Sequence, residues 1–280
     1  MIWVVGAVCI DLVAVREKFL EGTSNPSDIR LGLGGVGYRV FSNLDSPKRF
    51  ITALASDPIS KMAESMLLSE GDVAIHRARD AGPPLYLALM EGGSLKVAAS
   101  DLRIVEQALD PQFVVRQIGE PSADDFLVLD ANLSPGLVGE LVRRFAGRLR
   151  IVFEPVSVEK ASRHAPFLRD IYLLTPTEEE MAALVGGAGA LSEGEVTGFA
   201  DARRIAQVVV TRGRQGTSLY MQGTREDFTP ERVVEARDTT GAGDLLLASL
   251  LQALSRGADI RGAIRRAMQA VEQWLLEGSQ

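Results

Sequence analysis

The residues Arg237-Asp238-Thr239-Thr240-Gly241-Ala242-Gly243-Asp244 run directly into a largely apolar segment, 245–251, and this junction decides the fold. The glycines and alanine let a ligand approach the backbone without obstruction from side chains. The segment that follows contains good helix formers, which places the small residues at the N-terminus of a buried helix. Unpaired N–H groups and the positive end of the helix dipole attract anions there, phosphate above all.

Asp244 falls in the first turn of this predicted helix. Its carboxylate can cap the helix, or it can face whatever group the amides hold. Phosphoryl transfer to an alcohol requires an anion site beside such a carboxylate, because the amides stabilise the transferring group while the carboxylate accepts the hydroxyl proton. The alternative is a capped helix that binds nothing.

Composition bounds the class of protein. A chain of 280 residues, 46% of them hydrophobic, can bury one large α/β core. Its net charge of −7, with no basic block, argues against nucleic acid or an anionic membrane as the main partner. The single cysteine, Cys9, and the lack of a signal-peptide pattern predict a cytoplasmic protein without disulfides. The two histidines, His76 and His164, are far apart, so no metal cluster of Cys and His is expected.

The N-terminal residues 2–10 are mostly apolar and predict a buried strand that ends at Asp11. A carboxylate just beyond the C-terminal end of such a strand lies where open α/β sheets bind ligands. It could equally be a loop or capping residue. Residues 17–30 are polar and rich in turn formers, so we expect an excursion from the core there.

Gly32-Leu33-Gly34-Gly35-Val36-Gly37 satisfies the Gly-x-Gly-x-x-Gly pattern, with Asp57 about 20 residues beyond it. This favours a dinucleotide site if a strand of the main sheet precedes the glycines. The preceding run is short and polar-flanked, however. The alternative is that these glycines open a helix that helps to hold a small acceptor molecule.

Apolar strands alternate with helices through most of the remaining chain, which predicts a parallel sheet covered on both faces. Polar residues gather repeatedly where these strands end, so one rim of the sheet is the expected binding edge. Two strand-like runs around Gly92-Gly93 predict a hairpin. It is either an edge hairpin of the main sheet or, with the early excursion, a small sheet that covers the site.

The order of several motifs resembles the ribokinase-like (PfkB) family of sugar and nucleoside kinases over essentially the whole chain. These motifs are Gly6 to Asp11, Gly34-Gly35-x-Gly37, Glu154-Pro155-Val156-Ser157, Thr175-Pro176-x-x-x-Glu180, Thr211-x-Gly213-x-x-Gly216 and Asp238 to Asp244. The resemblance implies a ribokinase-like three-layer α/β sandwich with a mostly parallel central sheet and a small β lid. It implies one domain over residues 1–280, with the lid formed by about 12–33 and 83–100.

The resemblance also implies a set of residue roles, carried over by matching position. Asp244 would be the general base, with Gly241, Ala242 and Gly243 as the anion hole. Asp11, Gly34, Gly35, Arg39 and Asn132 would hold the acceptor. Thr211, Gly213, Gly216 and Thr240 would line the ATP site, and Glu180 would act on Mg²⁺ through its waters. No P-loop sequence is present as another route to this chemistry.

Several positions depart from the family pattern. Cys9, Arg39 and Thr177 each stand where relatives carry Asn, and Glu154 stands for an Asp. Because a site built for hydroxyl groups selects them by pairing, these losses should change substrate choice. Arg39 could instead pair an acidic group of the acceptor or neutralise a nearby Asp. The chain also ends earlier than relatives do, so no K⁺ requirement is expected.

The sequence therefore predicts an ATP-dependent kinase acting on a hydroxymethyl group of a sugar or nucleoside. Within the family, the Gly-Gly-Val-Gly run, Asp130-x-Asn132 and Pro155-Val156-Ser157 most resemble pseudouridine kinase. A degenerate member that binds a nucleotide or sugar without turnover is the main alternative, and a dinucleotide-dependent oxidoreductase is the third. By resemblance, a homodimer formed through the lid is expected.

Overall fold

A computed structural model describes residues 1–79, 81–187, 189–236 and 239–278. Its strands, in chain order, are β1 (Ile2–Val5), β2 (Cys9–Arg16), β3 (Asp28–Gly34), β4 (Lys48–Leu54), β5 (Val73–Arg77), β6 (Leu85–Glu91), β7 (Ser94–Asp101), β8 (Phe126–Asp130), β9 (Arg150–Glu154), β10 (Leu173–Leu174), β11 (Gln207–Thr211), β12 (Thr217–Met221) and β13 (Thr224–Phe228). Its α-helices are α1 (Val36–Ser42), α2 (Pro58–Leu68), α3 (Arg103–Ala108), α4 (Pro111–Ile118), α5 (Pro135–Phe145), α6 (Val158–His164), α7 (Glu178–Val185), α8 (Glu193–Arg203), α9 (Ala242–Ser255) and α10 (Ile260–Gly278).

The larger sheet runs in the order β13-β12-β11-β10-β9-β8-β1-β4-β5. Pairings from β11 through to β5 are parallel, whereas β12 and β13 close one edge as antiparallel strands. Residues of β1 alternate between two cores. Trp3 and Val5 face one cluster, which α3 to α8 complete, while Ile2 and Val4 face a second, which α1, α2, α9 and α10 complete. Helices on both faces bury the central strands, so the predicted three-layer α/β arrangement is confirmed.

A second, smaller sheet runs in the order β3-β2-β6-β7. β2 is antiparallel to β3 and parallel to β6, and β6 and β7 form the hairpin around Gly92-Gly93. The hairpin therefore belongs to this sheet and not to an edge of the larger one. The second sheet that the sequence predicts is confirmed, with strands that begin at Cys9 and end at Asp101.

The prediction of one N-terminal strand ending at Asp11 is wrong. β1 ends at Val5, and Asp11 is the third residue of β2, within the small sheet. The chain leaves the larger sheet at Gly6, where any side chain would overlap the Asp130 carboxylate, and the Ala7 N–H donates to that carboxylate at 2.9 Å. The continuous apolar pattern hides this crossing because residues on both sides of it are buried.

The dinucleotide alternative does not fit the topology. The strand before Gly35, β3, is antiparallel to β2 in the small sheet and is not part of a parallel β-α-β unit. Asp57 caps α2, accepting hydrogen bonds from the backbone N–H groups of Ile59 and Ser60. None of the helices in the described ranges is both long and apolar enough to cross a membrane.

Candidate active site

The candidate active site begins at the N-terminus of α9. Gly241 precedes the helix with φ of 93°, a conformation that favours glycine, and the Ala242 N–H donates to the Thr239 carbonyl at 3.1 Å. No side chain caps the helix, so the N–H groups that follow Ala242 in the first turn are available to an anion. The predicted start of the helix is confirmed here, while Arg237 and Asp238 of the same motif lie outside the described residues.

Asp244 lies in the first turn of α9 and is only partly accessible to solvent. Burial raises the pKa of its carboxyl group to about 7, the positive charge of Arg39 lowers it, and the Asp130 carboxylate adds to the rise. A carboxyl group that titrates near neutral pH can accept a proton during turnover at physiological pH. The geometry is therefore compatible with a general base.

Asp11 and the Gly34-Gly35 pair form a second part of the site. The Asp11 carboxylate lies directly against Gly34, where a Cβ atom would overlap it. Gly35 has φ of 100° and stands before α1, and a Cβ there would lie 2.6 Å from the Ala7 carbonyl oxygen. Glycine is thus favoured at both positions. At Gly34 the reason is the contact with Asp11, and at Gly35 it is both the positive φ and the contact with Ala7.

Arg39 links this second part to α9. On α1, its Nη2 donates to Asp11 Oδ2 at 2.9 Å, and a Cβ atom built on Gly241 would lie 3.4 Å from its Nη1. Arg39 also acts electrostatically on Asp244. The structure therefore brings together residues predicted to hold the acceptor and residues predicted to hold the phosphate.

Asp130, predicted only as part of the Asp130-x-Asn132 motif, organises the floor of the site. This buried carboxylate accepts hydrogen bonds from the N–H groups of Ala7, Gly37 and Asn132, each at 2.9 Å, and burial raises its pKa. It fixes the end of β1 against the start of α1. The position of Asp130 at the end of a fully buried strand was the available signal.

Asn132 is 3% exposed, and its Oδ1 accepts a hydrogen bond from Lys160 Nζ at 2.5 Å. Its Nδ2 is buried and has no hydrogen-bond partner among the described residues. An orphaned buried donor of this kind fits a site that receives a polar group from a ligand. Lys160 was missed because it lies 28 residues away in sequence and meets Asn132 only through the packing of α6 beside β8.

A cavity of about 770 Å³ opens on the other side of the α9 N-terminus. Thr211, Gly213 and Gly216, predicted to line a nucleotide site, line it together with Ala242 and Gly243. Gly216 has φ of 90°, and a side chain there would overlap the Phe228 carbonyl. Thr240 lies exposed in the turn before α9 and is not among the described residues that line the cavity.

Three arginines that the sequence analysis did not select also line this cavity, namely Arg212, Arg214 and Arg232. Arg212 lies 3.4 Å from Asp227, and Arg214 lies 3.6 Å from Glu235, so both also have acidic partners. Guanidinium groups beside helix amides suit a polyphosphate. Arg212 and Arg214 fall inside the Thr211-to-Gly216 motif, which was the available signal.

Two buried carboxyl groups lie beside the anion site. The pKa of Glu154 is raised by burial and by the charges of Glu180 and Asp244, and burial also raises the pKa of Glu180. Thr177 caps α7 in a reciprocal capping box with Glu180, so Thr here does the capping that the family's Asn could do.

No group of three or more His, Cys, Asp or Glu side chains in the described ranges forms a direct metal site. Carboxylate oxygens without a closed ligand set fit Mg²⁺ that keeps its waters.

Comparison with known proteins identifies the family of the chain. The family model described as "pfkB family carbohydrate kinase" matches residues 1–273. The bifunctional protein HldE of Bradyrhizobium diazoefficiens is 24% identical over 253 residues, 87% of this chain and 51% of that protein. HldE of Rhodopseudomonas palustris strain BisB18 is 30% identical over 220 residues, 77% of this chain and 43% of that protein. The chain thus spans about half the length of these relatives.

Solved structures share the fold. A carbohydrate kinase from Agrobacterium tumefaciens has a TM-score of 0.79 and 26% identity, covering 96% of this chain and 89% of that one. Ribokinase from Giardia lamblia has a TM-score of 0.83 at 18% identity, covering 98% of this chain and 93% of that one. Ribokinase from Arabidopsis thaliana, complexed with ribose and ATP, has a TM-score of 0.76 at 18% identity over 98% of this chain and 92% of that one. With the family model matching nearly its whole length, the chain belongs to the pfkB family of carbohydrate kinases.

Proposed function

We propose that this kinase transfers the γ-phosphoryl group of ATP to a hydroxymethyl group of a sugar or nucleoside, with Asp244 as the general base. The observation that carries the proposal is the place of Asp244. Asp244 lies in the first turn of α9, whose residues Ala242 and Gly243 line the 770 Å³ cavity. On the acceptor side, Asp244 interacts electrostatically with Arg39, which pairs with Asp11. A base between a phosphate site and an acceptor site is the arrangement that in-line transfer needs.

The proposed transfer forms one bond to phosphorus and breaks another. A bond forms between the acceptor oxygen and the γ-phosphorus, and the bond from that phosphorus to the β,γ-bridging oxygen breaks. The electron pair of the broken bond stays on ADP, and the hydroxyl proton moves to Asp244. The amides of Gly241 and Gly243 would stabilise the charge on the transferring group. The Ala242 N–H, which donates to the Thr239 carbonyl, would join them only by leaving that carbonyl.

In this proposal ATP would lie in the cavity lined by Thr211, Gly213 and Gly216. Thr240, in the exposed turn before α9, would contact the bound nucleotide from outside that lining. Mg²⁺ would be held by the phosphates and by waters, and Glu180 would accept hydrogen bonds from those waters. The ion would offset negative charge beside Glu154 and Glu180, whose pKa values are both raised. Its chemical contribution is to neutralise charge on the β- and γ-phosphates.

The acceptor would be held by Asp11, Gly34, Gly35, Arg39 and Asn132. Asp11 offers a hydrogen-bond acceptor to sugar hydroxyl groups, and the orphaned Nδ2 of Asn132 offers a donor. Pseudouridine is the first nucleoside to test because of the motifs quoted above, and ribose is the first free sugar, since a ribokinase of the same fold binds it. The buried, unpaired Cys9 supports a reducing compartment such as the cytoplasm.

We also propose that the small sheet is a lid and a homodimer contact. Rows of apolar side chains run across one face of it, because Leu31 pairs with Leu12 and Leu12 with Leu87, while Val97 pairs with Leu89. Leu31, Leu87 and Val97 are exposed. A contiguous apolar face of this kind fits a second copy of the same sheet.

The test of function is ADP formation from ATP and Mg²⁺ across a panel of pentoses, hexoses, heptoses and nucleosides, pseudouridine included. We expect at least one acceptor to stimulate ADP formation in the wild type. The control variant matched to Asp244→Asn is Glu193→Gln. Glu193 is also a first-turn acid, on α8, but it is exposed and does not line the cavity. Stabilisation by ATP without turnover on any acceptor would contradict the proposal and favour a binding role.

A further inference from the structure

A guanidinium group occupies the junction between the two halves of the candidate site. Arg39 reaches from α1 to the small sheet, where its Nη2 donates to Asp11 Oδ2 at 2.9 Å. The pair is partly shielded, since the side chains of Arg39 and Asp11 are 34% and 13% exposed. An ion pair in this setting holds the guanidinium in one orientation.

The other terminal nitrogen of Arg39 faces the phosphate side. A Cβ atom built on Gly241 would lie 3.4 Å from Nη1, so that nitrogen is next to the residue that opens the anion hole. No described residue accepts a hydrogen bond from Nη1. Guanidinium has five N–H donors in a planar fork, and one edge can serve a carboxylate while another serves a phosphoryl oxygen.

We propose that Arg39 is a catalytic residue that donates hydrogen bonds to the phosphoryl group as it passes from ATP to the acceptor. This role rests on the proposed function and deepens it. As the acceptor oxygen attacks and the bridging oxygen leaves with its electron pair, the three equatorial oxygens of the transferring group would carry spread negative charge beside Gly241. Arg39 supplies a positive charge there that Asn, the residue usual at this place in the family, does not have.

Two other roles for Arg39 must be separated from this one. It could only neutralise Asp11, or it could recognise an acidic group on the acceptor. Neither role requires contact with the γ-phosphate, so neither predicts an effect on nucleotide binding that depends on that phosphate.

The test is calorimetric titration, without acceptor, of the wild type and Arg39→Asn with Mg²⁺ and either ADP or the β,γ-imido analogue of ATP. We expect Arg39→Asn to weaken binding of the imido analogue about tenfold to hundredfold, the loss typical of a hydrogen bond to a charged group. ADP affinity should change less than about threefold. Arg39→Lys keeps the charge but loses the planar set of donors. Its affinity for the imido analogue should therefore lie between those of the wild type and Arg39→Asn.

Further variants separate these three roles of Arg39. Arg30→Asn, which removes an exposed arginine paired with Asp28 in the small sheet, should leave both affinities unchanged. Equal effects on the two nucleotides, or no effect on either, would overturn the proposal. Recovery of analogue binding in the double variant Asp11→Asn, Arg39→Asn would also overturn it, because Arg39 would then only neutralise Asp11. A wild type that binds neither nucleotide would contradict the proposed function itself.

Discussion

At the scale of single residues, the account depends on a carboxyl group whose charge is sensitive to pH near neutrality. Burial raises the pKa of Asp244 to about 7, so this side chain is half protonated near that pH. Only the ionised form can accept the hydroxyl proton. We therefore expect kcat/KM to fall about tenfold for each pH unit below about 7 and to level off above it.

The charge on Arg39 adds a second prediction at this scale. Because Arg39 lowers the pKa of Asp244, its replacement by Asn should move the acid limb of the kcat/KM profile to higher pH. Profiles of the wild type and Arg39→Asn measured between pH 5 and 9 check this. A limb that stays in place would show that the two side chains do not interact in the working enzyme.

At the scale of elements, the two capping boxes form a natural matched pair. Thr177 caps α7 and Ser192 caps α8 with the same reciprocal geometry, but only the α7 box contains Glu180. Thr177→Ala and Ser192→Ala should each cost about 1 kcal/mol of stability in thermal unfolding. Only Thr177→Ala should also raise the Mg²⁺ concentration for half-maximal activity, since it removes a side-chain partner of Glu180, the residue proposed to hold the metal waters.

The small sheet carries its own prediction. Leu31→Asp places a charge on the exposed apolar face of β3 and should convert a dimer to monomers in sedimentation velocity. Val158→Asp, at an equally exposed apolar position on α6, is the matched control and should leave the dimer intact. A wild type that sediments as a monomer at all concentrations would contradict the proposed dimer.

At the scale of the whole molecule, ionisation of the Asp244 carboxyl group should favour catalysis but lower the free energy of unfolding. Its folded pKa lies above the ordinary unfolded value, so ionising it costs folding energy as the pH rises from about 4 to about 7. Asp244→Asn should therefore be more stable than the wild type at pH 8, by up to about 4 kcal/mol. Thermal unfolding should show this advantage shrinking toward zero near pH 4. A variant less stable than the wild type at pH 8 would contradict the proposed burial cost.

Much of the architecture follows from local sequence, because apolar strands spaced by helices can pack stably only as a covered parallel sheet. The small residues before α9 likewise predict an anion site from local sequence, because they open a helix whose N-terminal amides attract anions. Long-range packing could not be predicted in this way. The crossing of the chain at Gly6 depends on Asp130, more than 120 residues away, and the contact between Lys160 and Asn132 depends on how α6 sits beside the sheet.

The replacement of the family's Asn by Thr177 was expected to change substrate choice, yet the structure shows Thr filling a capping role. Arg39 is the departure to which the proposals above give a catalytic role, because it adds a charge at a position predicted to carry an amide. Its two contacts, to Asp11 and toward Gly241, involve residues 28 and about 200 positions away, which no local pattern could reveal.

In the proposed mechanism Asp244 accepts the proton of the acceptor hydroxyl while the α9 amides hold the transferring phosphate. Single-turnover transfer of the labelled γ-phosphoryl group from ATP to the acceptor identified in the panel, compared between wild type and Asp244→Asn, tests it most directly. The transfer rate of Asp244→Asn should be lower by about 10² to 10⁴, with nucleotide affinity retained. A variant that transfers within about threefold of the wild-type rate would contradict it.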